Sequence, residues 1–204
     1  MNHLTHLAQL RNHYFFMRHG KSKANAEKLI VSHPEHGTTG YGLVEEGIKQ
    51  ATDSVTALHD QGILDASTII ITSDFLRTRE TAEIARAILG VEEVYVSELL
   101  RERNFGDYEL QSTEHFQEIW GAEDATDPTF TSHEVESPAS VHDRTTQLIR
   151  ELEEIYAGKK ILLVSHGDTT QILQTAFQGI SPAEHLSIPH MQTGEIREVE
   201  LVKI

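Results

Sequence analysis

Five short apolar runs punctuate the chain: Tyr14–Met17, Thr68–Thr72, Val94–Val96, Ile161–Ser165 and Ile196–Val202. The first four are β-branched or aromatic, the pattern of buried strands. The fifth mixes Ile196, Val199 and Leu201 with charged residues, which predicts an edge strand. Between the runs the apolar spacing lengthens to three and four residues. Glu45–Gln61 sets Ile48, Ala51, Val55 and Leu58 on one helical stripe. Thr78–Leu89 is rich in alanine and stops at Gly90, a C-cap residue. Val141–Tyr156 aligns Val141, Thr145, Leu148, Leu152 and Ile155 and ends before Gly158, and Thr169–Phe177 forms a further helix. Strands that alternate with helices predict an α/β fold, a three-layer α/β/α sandwich around a mostly parallel sheet. No internal repeat or low-complexity linker interrupts the 204 residues, so one domain is expected over 1–204.

Ligands of open α/β sheets bind beyond the carboxyl ends of the strands, so the residues that follow each run carry the chemistry. Arg18-His19-Gly20 follows the first, and Ser73 to Arg77 the second. Glu98 to Arg103 follows the third, and Ser165-His166-Gly167-Asp168 the fourth. Two histidines, several arginines and a glutamate are thereby expected at one edge of the sheet. Arginine forks and imidazoles match a phosphate dianion, and Arg18, Arg77, His19 and His166 supply that set. A histidine can also attack phosphorus when its outward nitrogen is unprotonated and the other is pinned as a donor. Gly20 permits a tight backbone beside His19. Glu102 is the natural proton donor to a leaving alkoxide, with a pKa raised by its surroundings.

Five blocks in order carry a resemblance to a known family. Arg18-His19-Gly20-Lys21-Ser22-Lys23-Ala24-Asn25 is similar to RHG-x-S-x-x-N, and Leu43 to Ala51 to L-x-x-x-G-x-x-Q-A. Ser73 to Ala82 resembles S-x-L-x-R-x-x-x-T-A, with Phe75 in the leucine place. Leu100 to Gly106 resembles L-x-E-x-x-x-G, and Ser165-His166-Gly167 the block of the second histidine. The chain thus resembles the histidine phosphatase superfamily, whose best-known member is cofactor-dependent phosphoglycerate mutase. The resemblance implies His19 as nucleophile, with Glu102 as proton donor and then base for water. It implies Arg18, Arg77 and His166 around the phosphate, with Asn25, Ser22 and the Gly167 amide as further contacts. It implies no metal, no cofactor and a cap insertion over about 107–140. Two positions depart from the family pattern: Lys21 replaces a common acid, and Ala24 a common aromatic, which bears on the pocket wall.

Composition then bears on the substrate. The 32 acidic residues outnumber the 17 lysines and arginines, for a net charge of -15, which argues against nucleic acid and anionic membranes as partners. The chain has no cysteine, which excludes disulfides, thiolate zinc sites and a cysteine nucleophile. No apolar stretch approaches a membrane span, and the N-terminal residues lack a secretory h-region, so a cytoplasmic enzyme is expected. Between Asn104 and Asp143 lie Asp107, Glu109, Glu114, Glu118, Glu123, Asp124, Asp127, Glu134, Glu136 and Asp143, without one lysine or arginine. Tyr108, Phe116, Trp120 and Phe130 offer apolar walls there. Mutases of the family carry basic residues in this region to grip a carboxylate and a second phosphate. An acidic cap acting as a filter therefore favours a phosphatase for a small phosphorylated metabolite with little further negative charge. The alternatives are the mutase and a non-catalytic phospho-ligand module; a phosphoprotein substrate fits an open cap. The His3–Leu10 stretch and the final strand each offer a surface for a homodimer.

Several residues also have plainer readings. Glu98 rivals Glu102 as the acid. Arg79 and Arg103 suit surface salt bridges, and Asp168 suits an N-cap of the last long helix. His3, His6, His13, His33 and His36 lack companions at metal-ligand spacing and are expected to be solvated or packed.

Overall fold

The structure, a computed structural model, describes all residues except 1, 6, 8, 124, 125, 203 and 204. The sequence expectations for His6 and Asp124 therefore lie outside the described residues.

Five strands form one sheet: β1 (His13–Arg18), β2 (Ile69–Thr72), β3 (Val94–Val96), β4 (Lys160–Ser165) and β5 (Ile196–Val199). Their order is β3-β2-β4-β1-β5, parallel except for β5, which runs antiparallel to β1. The helices are α1 (Lys23–Glu27), α2 (Pro34–Gly37), α3 (Glu45–Asp60), α4 (Leu76–Leu89), α5 (His115–Ala122), α6 (Pro138–Ile155) and α7 (Gly167–Gln178). The period-two alternation of the central strands feeds two separate cores. Tyr14 and Phe16 of β1 and Ile161 and Leu163 of β4 pack with Leu148, Leu152, Leu173 and Phe177 of α6 and α7. Phe15, Met17, Leu162 and Val164 point the other way, onto Ala51, Val55, Ala82 and Ala85 of α3 and α4. This is the predicted α/β/α sandwich.

Local signals set the helix ends. Gly90 and Gly179 close α4 and α7 with φ of 70° and 69°, a left-handed turn that costs glycine little. Ser137 caps α6 by accepting from Ser140 N, and Pro138 sits at its first position, so α6 starts before the predicted Val141. Helix α7 likewise starts at Gly167 because His166 is its N-cap residue, which corrects the capping role expected of Asp168.

Other expectations need correction as well. Strand β3 is an edge, not a buried strand: Tyr95 and Val96 are exposed, since among the described residues nothing pairs beyond β3. The last strand ends at Val199 rather than Val202. Ile48 and Ile155 fall on the predicted apolar stripes yet are exposed; Gly47 takes the inward place at the start of α3, and Ile155 is the last residue of α6. Helices α1, α2 and α5 are too short to show a period in the sequence. The segment containing α5 builds a third, small core from Ile30, Phe105, Tyr108, Ile119 and Val135, with Phe116 and Trp120 packed on it.

Candidate active site

Three parallel strands deliver the key side chains to one end of the sheet. His19 leaves β1, Arg77 opens α4 just after β2, and His166 joins β4 to α7. The Nε of Arg77 lies 3.0 Å from His19 Nε2 and 3.2 Å from His166 Nδ1, with the two imidazole centroids 5.2 Å apart. His19 Nδ1 is 2.7 Å from the carbonyl of Gly20. A carbonyl accepts only, so Nδ1 carries the proton and Nε2 presents a lone pair toward Arg77. Burial, then the charges of Arg77 and Arg18, hold the His19 pKa well below 6.5, so the ring stays neutral. His166 is depressed by burial and then Arg77, and its Nε2 reaches Ser73 Oγ at 3.0 Å.

Both arginines hold donors in reserve. Arg77 is buried, gives Nη2 to Val31 O, and is drawn down by burial to a pKa of about 10, so it remains a cation. Arg18 gives Nη1 to Met191 O. Neither Arg77 Nη1 nor Arg18 Nε has a protein partner, although both are buried. Two buried cationic N–H groups without a protein acceptor suit an oxyanion.

Glu102 faces this cradle from the loop after β3. Its Oε1 accepts from Arg103 N, Thr169 N and Thr169 Oγ1 at 3.0–3.2 Å. Burial first, then the charge of Asp168, raises its pKa above the usual carboxylate range, against the opposing pull of Arg77. Glu98, its rival in the sequence, is exposed and pairs with Arg101.

Arg18, His19, Ser22, Asn25, Arg77 and Glu102 line one small cavity of about 50 Å³. Ser22 is the N-cap of α1 in a capping box: its N–H and Oγ both meet Asn25 Oδ1, and its Oγ accepts from Asn25 N. Ser22 therefore orients Asn25, whose amide nitrogen is left as the donor. Gly167 lets α7 approach closely, since a Cβ there would lie 2.9 Å from His190 and 3.4 Å from the Arg18 guanidinium.

Residues 14–203 match the model of the histidine phosphatase superfamily (branch 1). The chain belongs to the histidine phosphatase superfamily. "Probable phosphoglycerate mutase GpmB" of Escherichia coli is 31% identical over 175 residues, or 81% of this chain and 74% of that protein. Among solved structures, a mycobacterial glucosyl-3-phosphoglycerate phosphatase covers 90% of this chain and 88% of its own, with a TM-score of 0.72 at 22% identity. The alpha-ribazole phosphatase of Shigella flexneri covers 90% and 88%, with a TM-score of 0.69 at 21%. These two likenesses show the fold.

In this member of the superfamily the buttresses are the part that the sequence left without roles. A Cβ on Gly20 would run into the carbonyl of Gly47, and a Cβ on Gly47 into the backbone of Lys21. Gln50 Oε1 accepts from Lys21 N and Thr81 Oγ1 from Gly20 N, so α3 and α4 clamp the loop that aims His19. The Phe75 ring packs edge-on against His166 at 5.1 Å, with the Arg77 guanidinium 4.9 Å above it. Gly47→Ala is expected to lower stability by about 1–3 kcal/mol, the cost of forcing extra volume against backbone. The check is a lower urea midpoint with an unchanged slope.

Three charged residues differ from their sequence readings. Arg103 is not a surface residue: it is 1% exposed, with Glu123 at 2.5 Å and Asp168 at 3.7 Å. Asp168 is also buried and accepts from Trp120 Nε1. Arg79 donates to Thr38 O rather than to a carboxylate. Lys21 turns away to Glu46 at 2.6 Å. The acidic segment reaches the cavity through Phe105, Thr113 and Phe116 and not through its described carboxylates: Glu109 meets Ser32 and His36, Glu118 meets His115 and Tyr108, and Glu136 meets Arg144. Among the described residues Glu102 is the only carboxylate lining the cavity. Phe116 lines it, whereas Tyr108 and Trp120 stand behind in the small core and Phe130 is half-buried elsewhere.

Proposed function

We propose that this protein hydrolyses a phosphomonoester in two steps through a phosphohistidine on His19, without a metal or cofactor. The observation that carries the proposal is the unprotonated Nε2 of His19, set by Gly20 O beside two buried arginine donors with no protein acceptor. In the first step the Nε2 lone pair forms the N–P bond while the P–O ester bond breaks. Arg18, Arg77, Asn25 and the Gly167 amide hold the three equatorial oxygens, where negative charge gathers, while His166 accepts from Arg77 Nε and positions that guanidinium. Glu102 gives its proton to the departing alkoxide. In the second step Glu102 takes a proton from water, whose oxygen attacks phosphorus and releases phosphate, restoring neutral His19. We take the chain as one domain with the segment over about 107–140 as its cap.

The name of the Escherichia coli relative raises a mutase as the second reading. Among the described residues no lysine lines the cavity and Arg18 and Arg77 are its only arginines, so a substrate carboxylate finds no further cation among them. Supplied with 3-phosphoglycerate and an aryl phosphate, the protein is expected to release phosphate from the aryl ester without added metal. Conversion to the 2-phospho isomer faster than phosphate release would establish the mutase instead.

The pH profile follows from the two shifts. His19 works neutral, and its depressed pKa places the acid-side loss of kcat/KM below pH 6.5. Glu102 works protonated, and its raised pKa places the basic-side loss above pH 4.5. A bell-shaped profile is expected with alkyl phosphates. A profile that keeps rising through neutrality would remove Glu102 from the role of acid.

A further inference from the structure

Resting on the hydrolase assignment above, we infer that the pocket selects phosphomonoesters whose alcohol part is uncharged and apolar next to the ester oxygen, with Phe116 as the specificity-determining residue. Beyond the phosphate cradle, the cavity walls are Ala24, Leu29, Ile30, Val31, Phe105 and Phe116. Phe116 is held from two sides: it stacks on Trp120 at 5.0 Å and 9°, and meets Phe105 edge-on at 4.9 Å. The apolar wall is thus a fixed surface and not a loose side chain. The polar groups along it are few, since Ser22 and the oxygen of Asn25 satisfy each other and Thr113 adds a single hydroxyl.

Four cations of the surrounding segments are committed to carboxylates. Lys21 turns to Glu46, Arg101 to Asp74, Arg103 to Glu123 and Arg144 to Glu136. A carboxylate or second phosphate on the alcohol would lose its hydration against these walls and meet no cation among the described lining residues beyond Arg18 and Arg77, a large penalty. An apolar body gains from the same contact.

The test compares kcat/KM of the wild-type protein for phenyl phosphate and 3-carboxyphenyl phosphate, esters of similar size that differ in one charge. A preference of about 100-fold or more for phenyl phosphate is expected. Phe116→Arg, or Thr113→Lys at the same wall, is expected to narrow that ratio about tenfold or more by giving the carboxylate a partner. Inhibition by inorganic phosphate should be no weaker in either variant, which a merely collapsed pocket would not allow. Hydrolysis of both esters at equal efficiency, or a preference for the carboxylate, overturns the inference and leaves the hydrolase standing. Hydrolysis of neither ester overturns both.

Discussion

His19→Ala is expected to lower phosphomonoester hydrolysis by at least about 10⁴-fold, the scale of removing a covalent nucleophile. Three features of one ring motivate that size. Its Nδ1 is pinned by Gly20 O, its Nε2 faces the arginine donors, and burial keeps it uncharged. No other described side chain offers an unprotonated nitrogen in this position: His166 has Arg77 on Nδ1 and Ser73 on Nε2. The fold should survive, because Gly20, Gly47, Gln50 and Thr81 hold the loop through backbone and helix contacts that do not involve the imidazole. Phosphate should therefore still bind the variant through Arg18 and Arg77, seen as protection against thermal unfolding. Activity within tenfold of wild type would sink the covalent mechanism. Lost phosphate binding would mean that the substitution had disturbed the cradle, and His19→Gln would then serve as the comparison.

Glu102→Gln should split substrates by leaving group. Alkyl phosphates need a proton on the departing oxygen, and the loss in kcat/KM is expected at about 10²–10⁴-fold. 4-Nitrophenolate leaves without one, so kcat/KM for 4-nitrophenyl phosphate should stay near the wild-type value. Its kcat should fall all the same, because the second step also loses the base that activates water. The signature is a burst of one nitrophenolate per active site followed by slow turnover. Glutamine keeps the acceptor oxygen for Arg103 N and the Thr169 donors, so the loop geometry is retained. An equal loss for both ester types would assign Glu102 a structural role.

The fold was legible because strand and helix periods differ and the central strands carry long apolar side chains. The site was legible because Arg18, His19, Arg77, Glu102 and His166 all follow strand ends, where α/β sheets place their ligands. What stayed hidden depends on contacts between distant segments. Nothing local marks Arg103 as buried; its partners are a glutamate twenty residues on and Asp168 beside the second histidine. The clamp of Gly47 and Gln50 on the His19 loop is a question of backbone clearance, which a motif records without explaining. The acidic segment misled for a related reason. Its charge is uneven along the chain, but Glu109, Glu123 and Glu136 each meet a partner away from the cavity. The case against a multiply anionic substrate therefore rests on the apolar wall and the committed cations rather than on repulsion from the cap.

The phosphoryl group is expected to pass through His19. That route is tested most directly by mixing the Glu102→Gln variant with ³²P-labelled 4-nitrophenyl phosphate, quenching in base within the burst and mapping the label. Close to one acid-labile, base-stable phosphoryl group per chain is expected, on the peptide bearing His19 and absent from a variant that also carries His19→Ala. Turnover with no protein-bound label, or a label on His166 that survives loss of His19, would contradict it.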